Sequence, residues 1–204
     1  HSDEAEKYSA AAFATKHENA IYFSKRVTRA VPDGGPIEAH TDLVKKLDYE
    51  CELAVVLGRD ARDVPAGQTR DYIFGYTILN DVSARDVQTA HKQWYFGKSL
   101  DGFTPIGPCI VTADAFADYP PRLGIRSFVN GEKRQDSNTA LQIFDIDHVI
   151  AELSQGMTLK AGTIIATGTP AGVGMGMDPP QFLKPGDVVR CEIDGIGTLT
   201  NPVK

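Results

Sequence analysis

The chain has 204 residues, 42% apolar and 24% charged, enough material for one sizeable globular domain with its own core. Its formal net charge is −6, and no basic block exceeds a few residues, which argues against nucleic acid or an anionic membrane surface as the main partner. No apolar run approaches the roughly 20 residues of a membrane helix, and no signal-peptide pattern opens the chain.

The sequence opens at His1 rather than at a methionine, so residues upstream are expected to be missing or a tag to have left a scar. Residues 4 to 18 are alanine-rich and polar, a short helix or a mobile segment. Ala30 to Pro36 has loop chemistry. Tyr49 to Leu57 reads as a strand closed by Gly58, and Arg70 to Tyr72 lead into a second strand, Ile73 to Asn80, ending at Asp81. Ser83 is placed to cap a short helix carrying Arg85, Gln88 and His91 along one face. Arg126 to Glu132 is a strand, an Asn-Gly turn and a returning strand. A helix follows on the spacing of Ile146, Val149, Ile150 and Leu153, capped by Asp145 or Asp147 and stopped by Gly156. The phrases Leu159 to Ile165 and Leu183 to Val189 repeat one turn-into-strand pattern, and the second strand reverses at Asp194-Gly195. Strands outnumber helices, which predicts a mostly β domain, a distorted barrel or rolled sheet with few short helices.

Cys51, Cys109 and Cys191 are far apart and form no CxxC pair, so they read as reduced thiols of a cytoplasmic protein. The five histidines form no HxxxH or HxH pair, and any bound metal would need oxygen ligands. Alternation along a strand puts Glu50 and Glu52 on one face, with Cα atoms about 6.5–7 Å apart. The rest of that strand is apolar on both faces, so two glutamates at its end require a partner. Charges about 6.5 Å apart repel by roughly 2.5 kcal/mol at an effective dielectric near 20, and Asp81 on the neighbouring strand adds to this. A divalent cation would relieve that cost, and three oxygens with open positions suit Mg²⁺ or Mn²⁺. Spacing alone leaves open a solvated strand end paired to Lys45 or Lys46.

Five ordered stretches closely resemble the fumarylacetoacetate hydrolase family: Asp48 to Gly58, Gly75 to Gln88, Gly97 to Asp101, Thr167 to Gly174 and Leu183 to Asp187. The resemblance implies a mixed β-sheet roll spanning residues 1–204, a homodimer, and a Mg²⁺ or Mn²⁺ site that chelates a small-molecule 2-oxo acid. It implies Glu50, Glu52 and Asp81 as metal ligands and Lys98 as the active-site lysine. Arg85 and Gln88 follow as substrate-side polar groups, Thr169 as a substrate contact and Lys25 as a further lysine near the substrate, with a solvated lysine as the alternative. His1 and Glu4 look like the second half of the family's Asn-Tyr-x-x-His-x-x-Glu motif, a general-base pair; the alternative is that His1 ends a tag.

On this reading the expected activity is hydrolysis of a C–C bond in an acylpyruvate or fumarylpyruvate type of β-diketo acid through an enolate. Water would be activated by His1 and Glu4, and Lys98, its pKa lowered beside a divalent cation, would carry a proton. The same site also serves decarboxylases, tautomerases and isomerases of 2-oxo diacids; a catalytically silent ligand-binding β-roll is the alternative from another class. Gly172 to Gly176 is not read as a phosphate cradle, because no helical pattern follows it. Trp94, Tyr95 and Phe96 read as packing residues, with pocket lining as the alternative.

Overall fold

Segments that cannot satisfy their backbones alone pair into two four-stranded sheets and one two-stranded sheet, Leu47–Asp48 with Ser83–Ala84, in the computed structural model, which describes residues 19–204. The segments are β1 (Leu47–Asp48), β2 (Cys51–Leu57), β3 (Ile73–Asn80), β4 (Ser83–Ala84), β5 (Ile106–Thr112), β6 (Gly124–Val129), β7 (Glu132–Asn138), β8 (Ile164–Ala166), β9 (Val188–Ile193) and β10 (Gly197–Pro202). Helices are confined to α1 (Arg85–Ala90), α2 (Tyr95–Lys98) and α3 (Ile146–Leu153), besides short 3₁₀ turns. The mostly β expectation with few short helices holds. The strand ladders are antiparallel, and parallel pairing among the described residues is limited to the bridges Val31–Pro105 and Ile37–Val203.

One four-stranded sheet has the order β5-β3-β2-β8 and the other β10-β9-β6-β7. Between them lies one core, in which Leu53 and Val55 of β2 and Ile78 of β3 meet Ile125 and Val129 of β6 and Val189, Cys191 and Ile193 of β9. Every residue of β2 is buried, as its two apolar faces require. Asn130-Gly131 forms the predicted turn, both residues having positive φ of 52° and 83°, which matches the right-handed twist of the strands it joins. Asp145 caps α3 by accepting the His148 amide.

The repeated Leu-Lys-x-Gly phrase folds the same way twice. Leu159 bridges Ala61 and Leu183 bridges Leu47, while Gly162 and Gly186 turn the chain at φ 85° and 95°. Ser83 departs from expectation. It lies in β4, paired with Asp48 of β1, and its hydroxyl donates to the Asp81 carbonyl. The first amide of α1, on Arg85, is satisfied by the Lys46 carbonyl instead, so strand pairing does the work of a side-chain cap. His91 is the exposed residue ending α1 and not part of its buried face.

Gln135 of β7 ties the two sheets to the loop after β8. Its carbonyl accepts from the Cys51 amide and the Ser127 hydroxyl, and its amide donates to Thr169 Oγ1 and the Pro170 carbonyl. Replacing Gln135, which is fully buried, with Leu strands these groups without partners. Gln135→Leu should therefore lower unfolding stability by about 3 kcal/mol, read as a drop in the urea midpoint with unchanged slope.

Candidate metal centre and active site

The β2–β3 register pairs Cys51 with Asn80, which sets Glu50 opposite Asp81 just beyond the ladder. The Asp81 amide donates to the Glu50 carbonyl, and Asn80 Oδ1 accepts the Glu50 amide. Glu52 lies one pleat further along the same face. The result is a buried cluster of Glu50, Glu52 and Asp81, with one carboxylate oxygen from each lying within 4.8 Å of the others. At that spacing each pair repels by about 3.5 kcal/mol or more at an effective dielectric near 20, more than strand geometry alone suggests. The three residues are 8%, 3% and 1% exposed, so water does little to screen them, and Lys45 and Lys46 are not their partners.

Buried cations line the cluster instead. Lys98, in the last turn of α2, places Nζ 2.7 Å from both Glu50 Oε2 and Asp81 Oδ2. Lys25 comes from the irregular segment before the first strand and reaches Asp81 Oδ1 at 2.7 Å, also donating to the Val82 and Lys98 carbonyls. Arg85 Nη1 lies 2.6 Å from Glu50 Oε1, and its Nε donates to Asp48 at 2.9 Å. Gln88, one turn along α1, accepts from Arg85 Nη1 at 3.3 Å. Glu52 has a backbone donor, the Gly168 amide, at 2.8 Å.

These surroundings push the acids apart. Burial, with the charges of Asp81 and Glu50, raises Glu52 well above the usual carboxylate range, against the pull of Lys98 and the Gly168 amide. Burial also pushes Asp81 upward, but Lys98 and Lys25 together outweigh it and hold the group below its ordinary value. Burial opposes charge on both lysines. For Lys98 the attraction of Asp81 and Glu50 wins and its pKa is raised; for Lys25 burial wins and its pKa is lowered. The protein groups alone therefore push Lys98 opposite to the direction expected beside a divalent cation, whose own charge that expectation requires.

The donor set fits a hard divalent cation. Three converging carboxylates offer oxygen alone, as Mg²⁺ and Mn²⁺ prefer, and Lys98 shows that positive charge is already drawn between two of them. Glu50, Glu52, Asp81, Lys98, Lys25, Arg85 and Gln88 thus form one constellation. Thr169 sits at its base, where its hydroxyl donates to the Cys51 carbonyl and accepts from Gln135. His1 and Glu4 lie outside the described residues.

Sequence reasoning passed over Asp48 and Phe23. Phe23 packs edge-on against Trp94 with ring centroids 5.2 Å apart, and Lys98 Nζ stands 5.5 Å from its centroid. Trp94 is half-buried in that contact, whereas Tyr95 and Phe96 are exposed. The loop Gly172 to Gly176 makes a 3₁₀ turn and opens no helix. A side chain at Gly172 or Gly174 would collide with the Arg134 or Gln181 carbonyl, which explains the glycines without a phosphate.

The raised Glu52 carboxyl has a thermodynamic consequence with a definite sign. Unfolding releases its proton above the ordinary value of 4.5, whereas the folded protein retains it to higher pH. Stability of chelator-treated protein should then fall as pH rises from about 4.5 through the range where folded Glu52 ionises. Urea titrations between about pH 5 and 8 check this; Glu52→Gln should flatten the slope and abolish Mn²⁺ retention. An unaltered slope in Glu52→Gln would assign the proton elsewhere.

Comparison with known proteins agrees with this geometry. The family model described as fumarylacetoacetate (FAA) hydrolase C-terminal matches residues 1–204. Oxaloacetate tautomerase YisK of Bacillus subtilis is 45% identical over 186 residues, covering 91% of this chain and 62% of that protein. The chain spans about three fifths of the length of the curated relatives it matches. A fumarylacetoacetate hydrolase structure from Exiguobacterium antarcticum superposes with TM-score 0.90 at 46% identity, covering 99% of this chain and 71% of that one. A 2-hydroxyhepta-2,4-diene-1,7-dioate isomerase structure from Mycobacterium marinum gives TM-score 0.74 at 44% identity, covering 84% and 64%. With the family model matching residues 1–204 of the chain and the buried carboxylate cluster in place, this chain belongs to the fumarylacetoacetate hydrolase family.

Proposed function

We propose that the chain is the catalytic part of a Mg²⁺- or Mn²⁺-dependent enzyme that interconverts the keto and enol forms of a small 2-oxo diacid of the oxaloacetate type. The observation that carries this reading is the double use of Asp81, which joins the carboxylate cluster while holding Lys25 on one oxygen and Lys98 on the other. Two proton-bearing groups therefore stand at the edge of the cation site. The similarity to an oxaloacetate tautomerase and to a dienedioate isomerase supports the same choice.

A divalent cation held by Glu50, Glu52 and Asp81 would polarise the 2-oxo group and favour negative charge on its oxygen. The rest falls to the chain. Asp48, Glu50, Glu52 and Asp81 face the cations Lys98 and Arg85, with the Lys25 amine beside them, so a divalent cation would offset the remaining acidic charge and let the pocket admit a dianion. Lys98, kept protonated by Asp81 and Glu50, donates to carbon C3 of the enol, while the enol hydroxyl yields its proton to Lys25, whose pKa is lowered. The proton count balances, and the reverse sequence regenerates the enol. Gln88, buried beside Arg85, supplies an amide for a substrate oxygen, and Thr169 supports the base of the pocket.

C–C bond hydrolysis of an acylpyruvate or fumarylpyruvate is the second reading, favoured by the His1-x-x-Glu4 spacing and the likeness to a fumarylacetoacetate hydrolase. There water adds to the distal carbonyl, the bond pair passes to the pyruvate fragment, and Lys98 protonates it. Decarboxylation of oxaloacetate would use the same charge stabilisation with CO₂ as the departing group. The proposal includes a cytoplasmic setting, which the free thiols of Cys51, Cys109 and Cys191 favour. It also includes a homodimer, for which exposed Phe74, Ile110 and Ile164 on one sheet offer apolar surface.

The test is a chelator-stripped protein reloaded with Mg²⁺ or Mn²⁺ and followed by ultraviolet absorption of the enol, with products identified by mass. Metal-dependent ketonisation of oxaloacetate without cleavage is expected. Pyruvate released with the matching acid from an acylpyruvate would move the function to hydrolysis, and pyruvate with CO₂ from oxaloacetate to decarboxylation. Absence of any turnover would leave a ligand-binding β-roll. Lys98→Ala should lose about 10²-fold or more in kcat while retaining Mn²⁺; unchanged kcat would remove Lys98 from the proton path.

A further inference from the structure

Asp48 is a fully buried carboxylate two residues before Glu50, and neither the cation site nor the proton path uses it directly. Its Oδ1 accepts the amides of Tyr49 and Gly174 at 3.0 and 2.8 Å. Its Oδ2 accepts the Met175 amide and Arg85 Nε, each at 2.9 Å. Arg85 in turn presses Nη1 against Glu50 Oε1 at 2.6 Å, while Glu50 Oε2 is the oxygen that shares Lys98 with Asp81. One carboxylate therefore holds both the glycine loop and the guanidinium that grips a candidate ligand.

We propose that Asp48 is a positioning residue for the cation site. It divides the charge of Arg85 between two carboxylates, so that the guanidinium orients Glu50 through Oε1 without competing for Oε2. It also ties the 172–176 loop to the same ligand, so that cation binding and loop order are coupled. Without Asp48 the undivided guanidinium charge falls on Glu50 and opposes a second cation there. A purely structural Asp48 would instead hold the loop and have no dealings with the cation through Arg85. The inference rests on Glu50, Glu52 and Asp81 being the cation ligands.

The experiment is a double-mutant cycle read by Mn²⁺ binding rather than activity, using electron paramagnetic resonance of free Mn²⁺. Asp48→Asn should weaken Mn²⁺ binding about tenfold or more. In an Arg85→Gln background the same change should shift Kd by less than about twofold, since the path through the guanidinium is gone. Additive effects, or an unchanged Kd in Asp48→Asn, overturn the proposal. A second measurement uses the unsubstituted protein, so the proposal stays testable if the variants fail to fold. Mn²⁺ should slow hydrogen exchange in the peptide spanning residues 172–178, and identical exchange with and without Mn²⁺ overturns the coupling. Failure of the unsubstituted protein to bind Mn²⁺ would instead remove the cation site itself, and this proposal with it.

Discussion

Like charges held together out of water govern this molecule. Glu50, Glu52 and Asp81 cannot separate, because β2 and β3 fix their backbones, and they cannot be solvated, because the strands that carry them are buried. Their mutual repulsion must be met locally by cations, by backbone donors or by a proton. Each occurs: Lys98, Lys25 and Arg85 approach from three separate parts of the chain, Gly168 offers an amide, and Glu52 favours its protonated form. A cluster that needs so much support contributes little to stability for its own sake, which is the physical argument for a functional origin.

The placement of that support explains the fold around it. α2 is a single turn, yet it delivers Lys98, and Gly97 lets it approach α1 so closely that a Cβ there would meet the Gln88 backbone at 2.7 Å. α1 turns Arg85 and Gln88 inward, and β1–β4 pairing fixes where it starts. The loop after β8 brings the Gly168 amide to Glu52 and the Gly174 and Met175 amides to Asp48. The second sheet serves largely as a wall, touching the site through Gln135 and the core side of β2.

Much of this was legible in the sequence, and for identifiable reasons. Alternation and burial in β2 pointed to the glutamate pair, and the turns at Asn130-Gly131 and Asp194-Gly195 marked hairpins because Asn130, Gly131 and Gly195 take positive φ, which few other residues accept. Ser83 was misplaced because a cap is a local signal, whereas the pairing that displaced it joins β4 to a strand more than thirty residues earlier. Asp48 escaped notice because its partners at 174, 175 and 85 are distant in the chain, and an aspartate at a strand end ordinarily reads as solvated. The roles of Lys25 and Lys98 came from family resemblance; spacing alone carried no sign that both would reach Asp81.

The long sequence reach of the site bears on how the protein is made. Glu52 finds its backbone donor 116 residues downstream, and two of the three backbone donors to Asp48 lie 126 and 127 residues downstream. During synthesis the acidic strand leaves the ribosome well before the loop that completes its surroundings, so the carboxylates pass through an interval with their mutual repulsion only partly answered. Pairing of such distant segments is slow because the loop must close before any contact rewards it. Any cation held by the cluster would then be captured late in biogenesis, and chains released before the loop emerges would expose an unfinished acidic strand to quality control.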